Sequence, residues 1–366
     1  MKKWILLLLL SVCVADAFSQ DARMAHPFVW QSYYNPASIG ADGNYQINLG
    51  EQTSYTQKNS LFSTTLLSAE MPLELFGSQC GAGLKFQHDY EGGGLINLTD
   101  ISAMFSIGVD LSSNSFLQFG LEPDFYCRYI DKSKMVMGDQ LDPYYGIVSD
   151  ESSHMEEIQN DKLYSFDFSV GLYGSSYLGK DAYYHDIILK YGVSGFHLIG
   201  ANSQSFFSED GETFFAKELY NRRYCAYLEG LFPIVFSEKN PNQSMYNGTY
   251  VLYERQHNMN NFQIGTYLND GKIGLLGVGL KLERFDNIII ESCAFHVGGN
   301  FKLDHYGDRF LRIMYTFQTP FVQGNVLGSS IHSLSLHYYF DKEQSKKRFK
   351  CIRSASFKKM QKSVFD

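Results

Sequence analysis

The sequence predicts an all-β fold, a transmembrane antiparallel β-barrel of about 14 strands, and two observations favour it. The first is a hairpin pattern over Leu98–Tyr129, where apolar and polar side chains alternate on either side of a turn-like Leu111–Ser115. Side chains two positions apart share one face of a strand, so each arm has one apolar and one polar face. The second is composition: 26 Tyr, 29 Phe and 32 Gly, but only 8 Pro. Aromatic girdles around a polar lumen are typical of membrane barrels.

The polar face of the hairpin carries charged residues, namely Glu122, Asp124 and Arg128. A water-soluble sandwich rarely points such groups into its core, because burying an unpaired charge is costly. A lipid-facing wall around a wet lumen accommodates both faces. We therefore predict that the three residues form a charge network in the lumen. A large soluble β-protein is the competing interpretation on composition alone.

The chain begins with two non-strand segments. Residues 1–19 read as a secretory signal peptide, with Lys2 and Lys3 before an apolar run and small residues up to Ser19. Residues 20–44 are irregular, since Pro27, Pro36 and Gly40 interrupt any regular element between several aromatic residues. This segment is interpreted as either a structural plug inside the barrel or a periplasmic docking site.

Alternating segments then run from Tyr45 to Phe340, the predicted barrel (residues 45–340). A transmembrane strand needs ~9–11 residues, and single-chain bacterial barrels use even strand numbers, so this span accommodates about 14. The predicted segments are 45–49, 61–71, 82–88, 98–109, 117–129, 166–172, 185–193, 224–232, 249–253, 262–268, 276–282, 288–296, 311–317 and 334–340.

Connection lengths predict an orientation. Three short turns fall on one side of the barrel: the turn after the second strand, Leu111–Ser115 and Gly174–Asp181. Longer connections, such as Asp131–Lys162, fall on the other side. Barrels have short periplasmic turns and long outer loops. The sequence therefore predicts an outer-membrane protein with both termini in the periplasm.

A basic tail follows the last strand. Residues 341–366 contain nine basic and three acidic residues, a net charge of +6, against −8 for the whole chain and therefore −14 for the rest. A solvated end and an electrostatic contact with an acidic partner or anionic surface are both compatible with this pattern. The basic residues singled out are Lys346, Lys347, Arg348, Lys350, Arg353, Lys358, Lys359 and Lys362.

No constellation of catalytic or metal-binding residues is recognisable. The chain has no G-x-S-x-G elbow, HExxH, Walker loop or dinucleotide fingerprint. Its histidines lack ligand spacing, and its five cysteines after the signal form no CxxC pair. We therefore predict no enzyme activity, no cofactor and no metal, and nothing in the pattern indicates nucleic-acid binding.

Several motifs, in order along nearly the whole mature chain, resemble the PorP/SprF family of Bacteroidetes outer-membrane proteins. The stretch Gln31–Gly40, with Tyr34, Asn35, Pro36 and Gly40, looks like the family's aromatic-Asn-Pro-Ala opening. The stretch Asp139–Pro143, with Asp139, Asp142 and Pro143, looks like its Asp-Pro loop. The further matching stretches are Gly81–Asp89, Leu117–Lys134, Tyr191–Leu198 and Ser330–Phe340.

The resemblance implies a component of the type IX secretion and gliding machinery rather than an enzyme. It implies one of two roles. The barrel either docks to periplasmic subunits, namely a lipoprotein ring and a peptidoglycan-binding protein, or acts for one secreted adhesin. The motif residues named above are then the possible docking positions. The chain departs from the family at Gly50–Tyr55, where an Arg/Gln-Trp pair is expected. Because of that departure, the protein is either a core subunit of the secretion machinery or a divergent, accessory copy of that subunit, and both interpretations stay open. A passive channel for small solutes is the alternative function.

Overall fold

Fourteen strands of the computed structural model form one closed antiparallel barrel, which confirms the predicted fold class. The structure describes residues 21–56, 59–75, 77–112, 114–149, 152, 161–178, 187–199, 221–235, 244–270, 274–284, 288–303, 309–321 and 329–340. The predicted signal peptide and basic tail lie outside these residues.

The barrel strands follow one another around the wall in chain order. They are β1 (Tyr45–Thr56), β2 (Asn59–Leu75), β3 (Ser78–Glu91), β4 (Ile96–Ser112), β5 (Ser115–Ile130), β8 (Lys162–Leu178), β9 (Ile187–Phe196), β10 (Arg223–Val235), β11 (Ser244–Gln256), β12 (Met259–Asp270), β13 (Gly274–Arg284), β14 (Ile288–Lys302), β15 (Arg309–Pro320) and β16 (Ser329–Phe340). A small hairpin, β6 (Leu141–Asp142) and β7 (Gly146–Ile147), lies in the connection between β5 and β8.

The first and last strands close the barrel. Strand β1 pairs with β16 from Tyr45 opposite Phe340 to Thr56 opposite Ser329. This pairing leaves neither terminal strand with a free edge, as a lipid environment requires. We call the end of the barrel at Tyr45 and Phe340 the terminal end. The opposite end, where residues 131–161 connect β5 to β8, is the long-loop end.

Alternation along the strands sets the two surfaces of the wall. In β4, Ile101, Phe105 and Ile107 face outward and are about half exposed, whereas Ser102 and Met104 face the lumen and are buried. The same outward apolar pattern recurs in the other strands. The predicted apolar face of the first hairpin is therefore the lipid-facing surface.

Most strands extend further than the alternation predicted, and β4 and β8 each have 17 residues. The turn predicted from Gly174 is wrong, because β8 continues through it to Leu178 and Gly174 pairs within the sheet. The reason is packing: the ring of Tyr191 on β9 covers Gly174, where a Cβ would lie 2.4 Å from the ring. That glycine makes room for an aromatic neighbour.

Helical structure is sparse. One four-residue helix, α1 (Gln31–Tyr34), is followed by a 3-10 turn at Pro36–Ser38. Two further 3-10 turns, Lys132–Lys134 and Gly138–Gln140, precede β6. Among the described residues, no helix is long and apolar enough to cross a membrane.

Candidate functional site

Residues 21–44 run through the lumen from one end of the barrel to the other, and we call this segment the plug. At the long-loop end, the backbone N–H of Asp21 donates to Gln256 Oε1 at 3.0 Å. At the terminal end, Gln79 Nε2 donates to the carbonyls of Gly40 and Ala41 at 2.9 and 3.1 Å. The plug therefore enters near the long loops and ends where β1 begins.

The backbone of the plug is bound by side chains of the wall, because it belongs to no sheet. Gln52 accepts from the N–H of Ala25 at 2.8 Å and donates to the carbonyl of Arg23 at 2.7 Å. Ser106 Oγ and Gln118 Nε2 both donate to the carbonyl of Ile39 at 2.8 Å. Buried backbone groups need such partners. The polar lumen supplies them in place of strand pairing.

Aromatic side chains of the plug form an apolar core inside the lumen. Trp30, Tyr33 and Tyr34 are each at most 2% exposed. Phe28 stacks on Tyr267 of β12, with ring centroids 4.3 Å apart. Fully burying side chains of this size contributes a few kcal/mol each, so the plug is an integral part of the folded structure.

Glycines of the wall let the plug approach its backbone. A Cβ on Gly120 of β5 would lie 2.3 Å from the N atom and 2.4 Å from the Cα of Ala37. A Cβ on Gly171 of β8 would lie 2.0 Å from Asn35 Oδ1. Contacts below 3 Å force one element to move, so these positions tolerate only glycine while the plug is in place.

We expect Gly120→Ala to destabilise the plugged barrel by about 1–3 kcal/mol, because overpacking displaces either the plug or the wall. Urea unfolding in detergent micelles, followed by the fluorescence of Trp30, measures it. Trp30 is the only tryptophan after residue 19. Gly138→Ala is the matched control, since nothing lies within 4 Å of a Cβ there. Equal unfolding midpoints for the two variants would contradict the close fit.

The three charges predicted for the lumen do face inward and are buried: Glu122, Asp124 and Arg128 are 0%, 1% and 8% exposed. Sequence reasoning missed the central cation of this group. Lys85 Nζ donates to Glu122 Oε1 and lies 3.8 Å from Asp100 Oδ2. The signal was present, because Lys85 falls on the inward side of the alternation in β3.

This charged group also touches the plug and neighbouring strands. Lys85 Nζ lies 5.8 Å from the ring centroid of Tyr33, within cation–π distance. Ser169 Oγ on β8 donates to Asp124 Oδ2 at 2.8 Å. The lumen charges therefore connect four strands, β3, β4, β5 and β8, to the plug.

A second charged cluster holds the start of the plug at the long-loop end. His197 contacts two carboxylates, Asp21 Oδ2 at 2.9 Å and Asp167 Oδ2 at 3.1 Å. Arg223 Nε lies 3.3 Å from the same Asp21 oxygen. Burial alone would lower the pKa of His197, but Asp21 and Asp167 outweigh it and raise the pKa to about 10. His197 is therefore charged at neutral pH and fixes Asp21.

The plug residues predicted as docking positions are enclosed by the barrel. Tyr34 and Asn35 are 2% and 5% exposed, and Pro36 and Gly40 are also buried. Asn35 Nδ2 donates to the carbonyl of Leu172 at 2.8 Å, and its Oδ1 accepts from the N–H of Ala37 at 2.9 Å. In this position the motif fixes the plug and does not present a surface to a partner.

The Asp-Pro loop predicted as a docking position lies at the long-loop end. Asp142 Oδ1 accepts from the backbone N–H groups of Tyr144 and Tyr145 at 2.8 and 3.0 Å. Asp139 Oδ1 accepts from Ser152 Oγ at 2.7 Å, while Pro143 is exposed. The two carboxylates therefore shape the loop itself. The predicted basic residues from Lys346 to Lys362 lie outside the described part of the chain.

A small cavity lies beside the plug. It measures about 130 Å³ and lies toward the terminal end, between the plug and the wall. Its lining includes Asp42, Lys190, Glu229 and Arg312. Within the described ranges, no group of three or more His, Cys, Asp or Glu side chains is arranged to hold a metal ion.

Comparisons with known proteins give a family and a set of similar structures. The family model described as "Type IX secretion system membrane protein PorP/SprF" matches residues 17–338. No curated protein matches significantly.

Among solved structures, the Pseudomonas putida toluene transporter TodX has 10% identity and a TM-score of 0.44, over 89% of this chain and 96% of that one. The Ralstonia pickettii toluene transporter TbuX has 10% identity and a TM-score of 0.45, over 84% and 92%. The β domain of the Bordetella autotransporter BrkA has 10% identity and a TM-score of 0.41, over 81% and 98%.

Proposed function

The chain belongs to the PorP/SprF family of type IX secretion system membrane proteins, and from that premise we propose that it is a plugged docking barrel. It is an outer-membrane β-barrel of the secretion system. In the proposed role it binds other proteins at its ends and does not conduct solutes. The partners are periplasmic subunits of the machinery or one secreted adhesin.

The plug is the observation that carries this proposal. A conducting barrel needs a continuous aqueous path, whereas here an aromatic core and several side chain–backbone hydrogen bonds occupy the lumen. The wall glycines fit the plug so closely that it is a built component. These contacts speak against the passive-channel alternative and favour binding at the barrel ends.

We propose that the long-loop end faces the cell exterior, following the usual difference in loop length. In this orientation Phe340 faces the periplasm, and we place the basic tail, which lies outside the described residues, on the same side. Asp21, the first described residue, lies at the long-loop end, opposite Tyr45, and therefore faces the exterior in this orientation.

We expect the refolded mature barrel to give no conductance above the empty planar bilayer, and to retain type IX secretion proteins in pull-downs from its own cells. The same pull-down is repeated at low and high salt with a barrel truncated after Phe340. If the tail docks an acidic partner, truncation abolishes that binding and high salt weakens it, because several exposed charge pairs act together and salt screens them.

Ohmic conductance of the intact barrel, or liposome swelling with small sugars, would support the channel instead. Deleting the gene separates the two docking roles. A defect across the secretome indicates a core subunit, whereas loss of a single adhesin indicates an accessory one. Unchanged secretion together with unchanged motility would refute both.

A further inference from the structure

The connection between β5 and β8 presents an apolar patch beyond the barrel wall. Tyr144 and Tyr145 at the tip of the β6–β7 hairpin are 92% and 84% exposed. Leu141, Ile147 and Val148 beside them are more than half exposed. We call these five residues the Tyr144 patch. Contiguous exposed apolar side chains on a loop mark an interaction site.

Hydrogen bonds hold the hairpin in one shape. Both tyrosine N–H groups bind Asp142, and Gly146 takes the positive φ of 76° that closes the turn. Gln140 Oε1 accepts from the N–H of Met137 at 2.7 Å, and its Nε2 donates to the carbonyl of Ser149 at 3.2 Å. The tyrosines are therefore displayed on a preorganised support, which lowers the entropic cost of binding.

A lysine links this loop to the next connection along the rim. Lys134 Nζ donates to the carbonyls of Gly93 and Gly94, each at 3.3 Å, and lies 5.0 Å from the ring centroid of Tyr90. The base of the loop is thus fixed to the turn between β3 and β4. The patch is therefore carried by a loop whose base is held against the barrel rim.

The charge around the patch selects the kind of partner. The described residues of this connection, 131–149, 152 and 161, include four acidic and two basic residues, a net charge of −2. Both lysines pair with carboxylates of the same connection, Lys132 with Asp161 and Lys134 with Asp131, so the acidic excess lies at Asp139 and Asp142, on and beside the hairpin. Such a surface repels an anionic lipid surface and attracts a basic one. Tyrosine is among the residues that dominate binding energy in protein interfaces.

We propose that the Tyr144 patch docks a basic protein surface at the long-loop end of the barrel, with Tyr144 and Tyr145 as its anchors. This inference rests on the proposed docking function and gives it a site. The acidic loop attracts the partner, and the tyrosines supply the contact area. The partner is a protein with a positively charged, partly apolar face.

A photo-crosslinking side chain placed at Tyr145 in the native cells is the first test, and mass spectrometry identifies what it captures. We expect one protein whose crosslinked face is basic. Its purified form should bind the barrel at least tenfold more weakly when both tyrosines are replaced (Tyr144→Ala/Tyr145→Ala), since aromatic anchors carry most of the binding energy of a protein interface. Salt should weaken binding to the unmodified barrel.

Phe321→Ala is the matched control, because Phe321 is a half-exposed aromatic residue at the same end, beside the last residue of β15. It should leave the affinity unchanged. Crosslinks to lipid alone, no crosslink, or an acidic partner face would overturn the proposal. The double variant should stay non-conducting with Trp30 buried, so loss of the patch interaction is distinguishable from failure of the docking barrel itself.

Discussion

Replacing residues 22–40 with a Gly-Ser linker of equal length should convert the silent barrel into an ion-conducting one. The plug contacts inward side chains from β1 to β16, and a barrel of 14 strands encloses a wide lumen once they are released. We expect single-channel conductance at least tenfold above the level of the unmodified protein, measured in planar bilayers.

The control for this experiment is the plug itself, supplied in trans. A synthetic peptide of residues 21–42 should lower the conductance of the linker variant, whereas a scrambled peptide of the same composition should not. Circular dichroism verifies that the variant keeps its β-barrel. A folded linker variant that remains silent would show that the plug is not what closes the lumen.

Removing the ammonium group of Lys85 should lower the stability of the barrel strongly. Lys85→Met leaves Glu122 and Asp100 buried without the ammonium group beside them. Breaking a buried pair by removing one partner costs about 3–5 kcal/mol. We expect the urea midpoint, read from Trp30 fluorescence, to fall accordingly, and adding Glu122→Gln to recover part of the loss.

Lys132→Met is the matched surface control. Lys132 also pairs with a carboxylate, Asp161, at 2.7 Å, but both side chains are partly exposed to solvent. Exposed pairs contribute about 0–1 kcal/mol. If the two methionine variants unfolded at the same urea concentration, the lumen network would carry no special stabilisation.

The number of strands, and which side chains of a strand face the lumen, could be predicted from the sequence, because alternation is a local signal with a period of two. It predicted the inward side of Glu122, Asp124 and Arg128, and all three are buried in the lumen. It did not reveal that Lys85 meets Glu122, since pairing across the lumen depends on barrel closure and not on spacing along the chain.

Strand ends and the plug were harder to predict, for different physical reasons. Strand β1 was predicted only to Leu49 but continues to Thr56, because the apolar alternation is lost over the polar residues that follow. Residues 21–44 have no period, so their aromatic content indicated packing without indicating where. The choice between plug and docking segment depended on contacts with partners more than 100 residues away, such as Asn35 with Leu172.

The end-to-end path of the plug has a consequence for how the protein assembles. The plug is synthesised before any strand, yet His26 binds Ser335 on β16, 309 positions later in the chain. Its native contacts therefore complete only after the last strand has arrived, which is a topology of very high contact order and slow folding. The plug can therefore reach its final position only at or after ring closure between β1 and β16. Biogenesis of this barrel ends with one of its earliest-synthesised segments settling into the lumen.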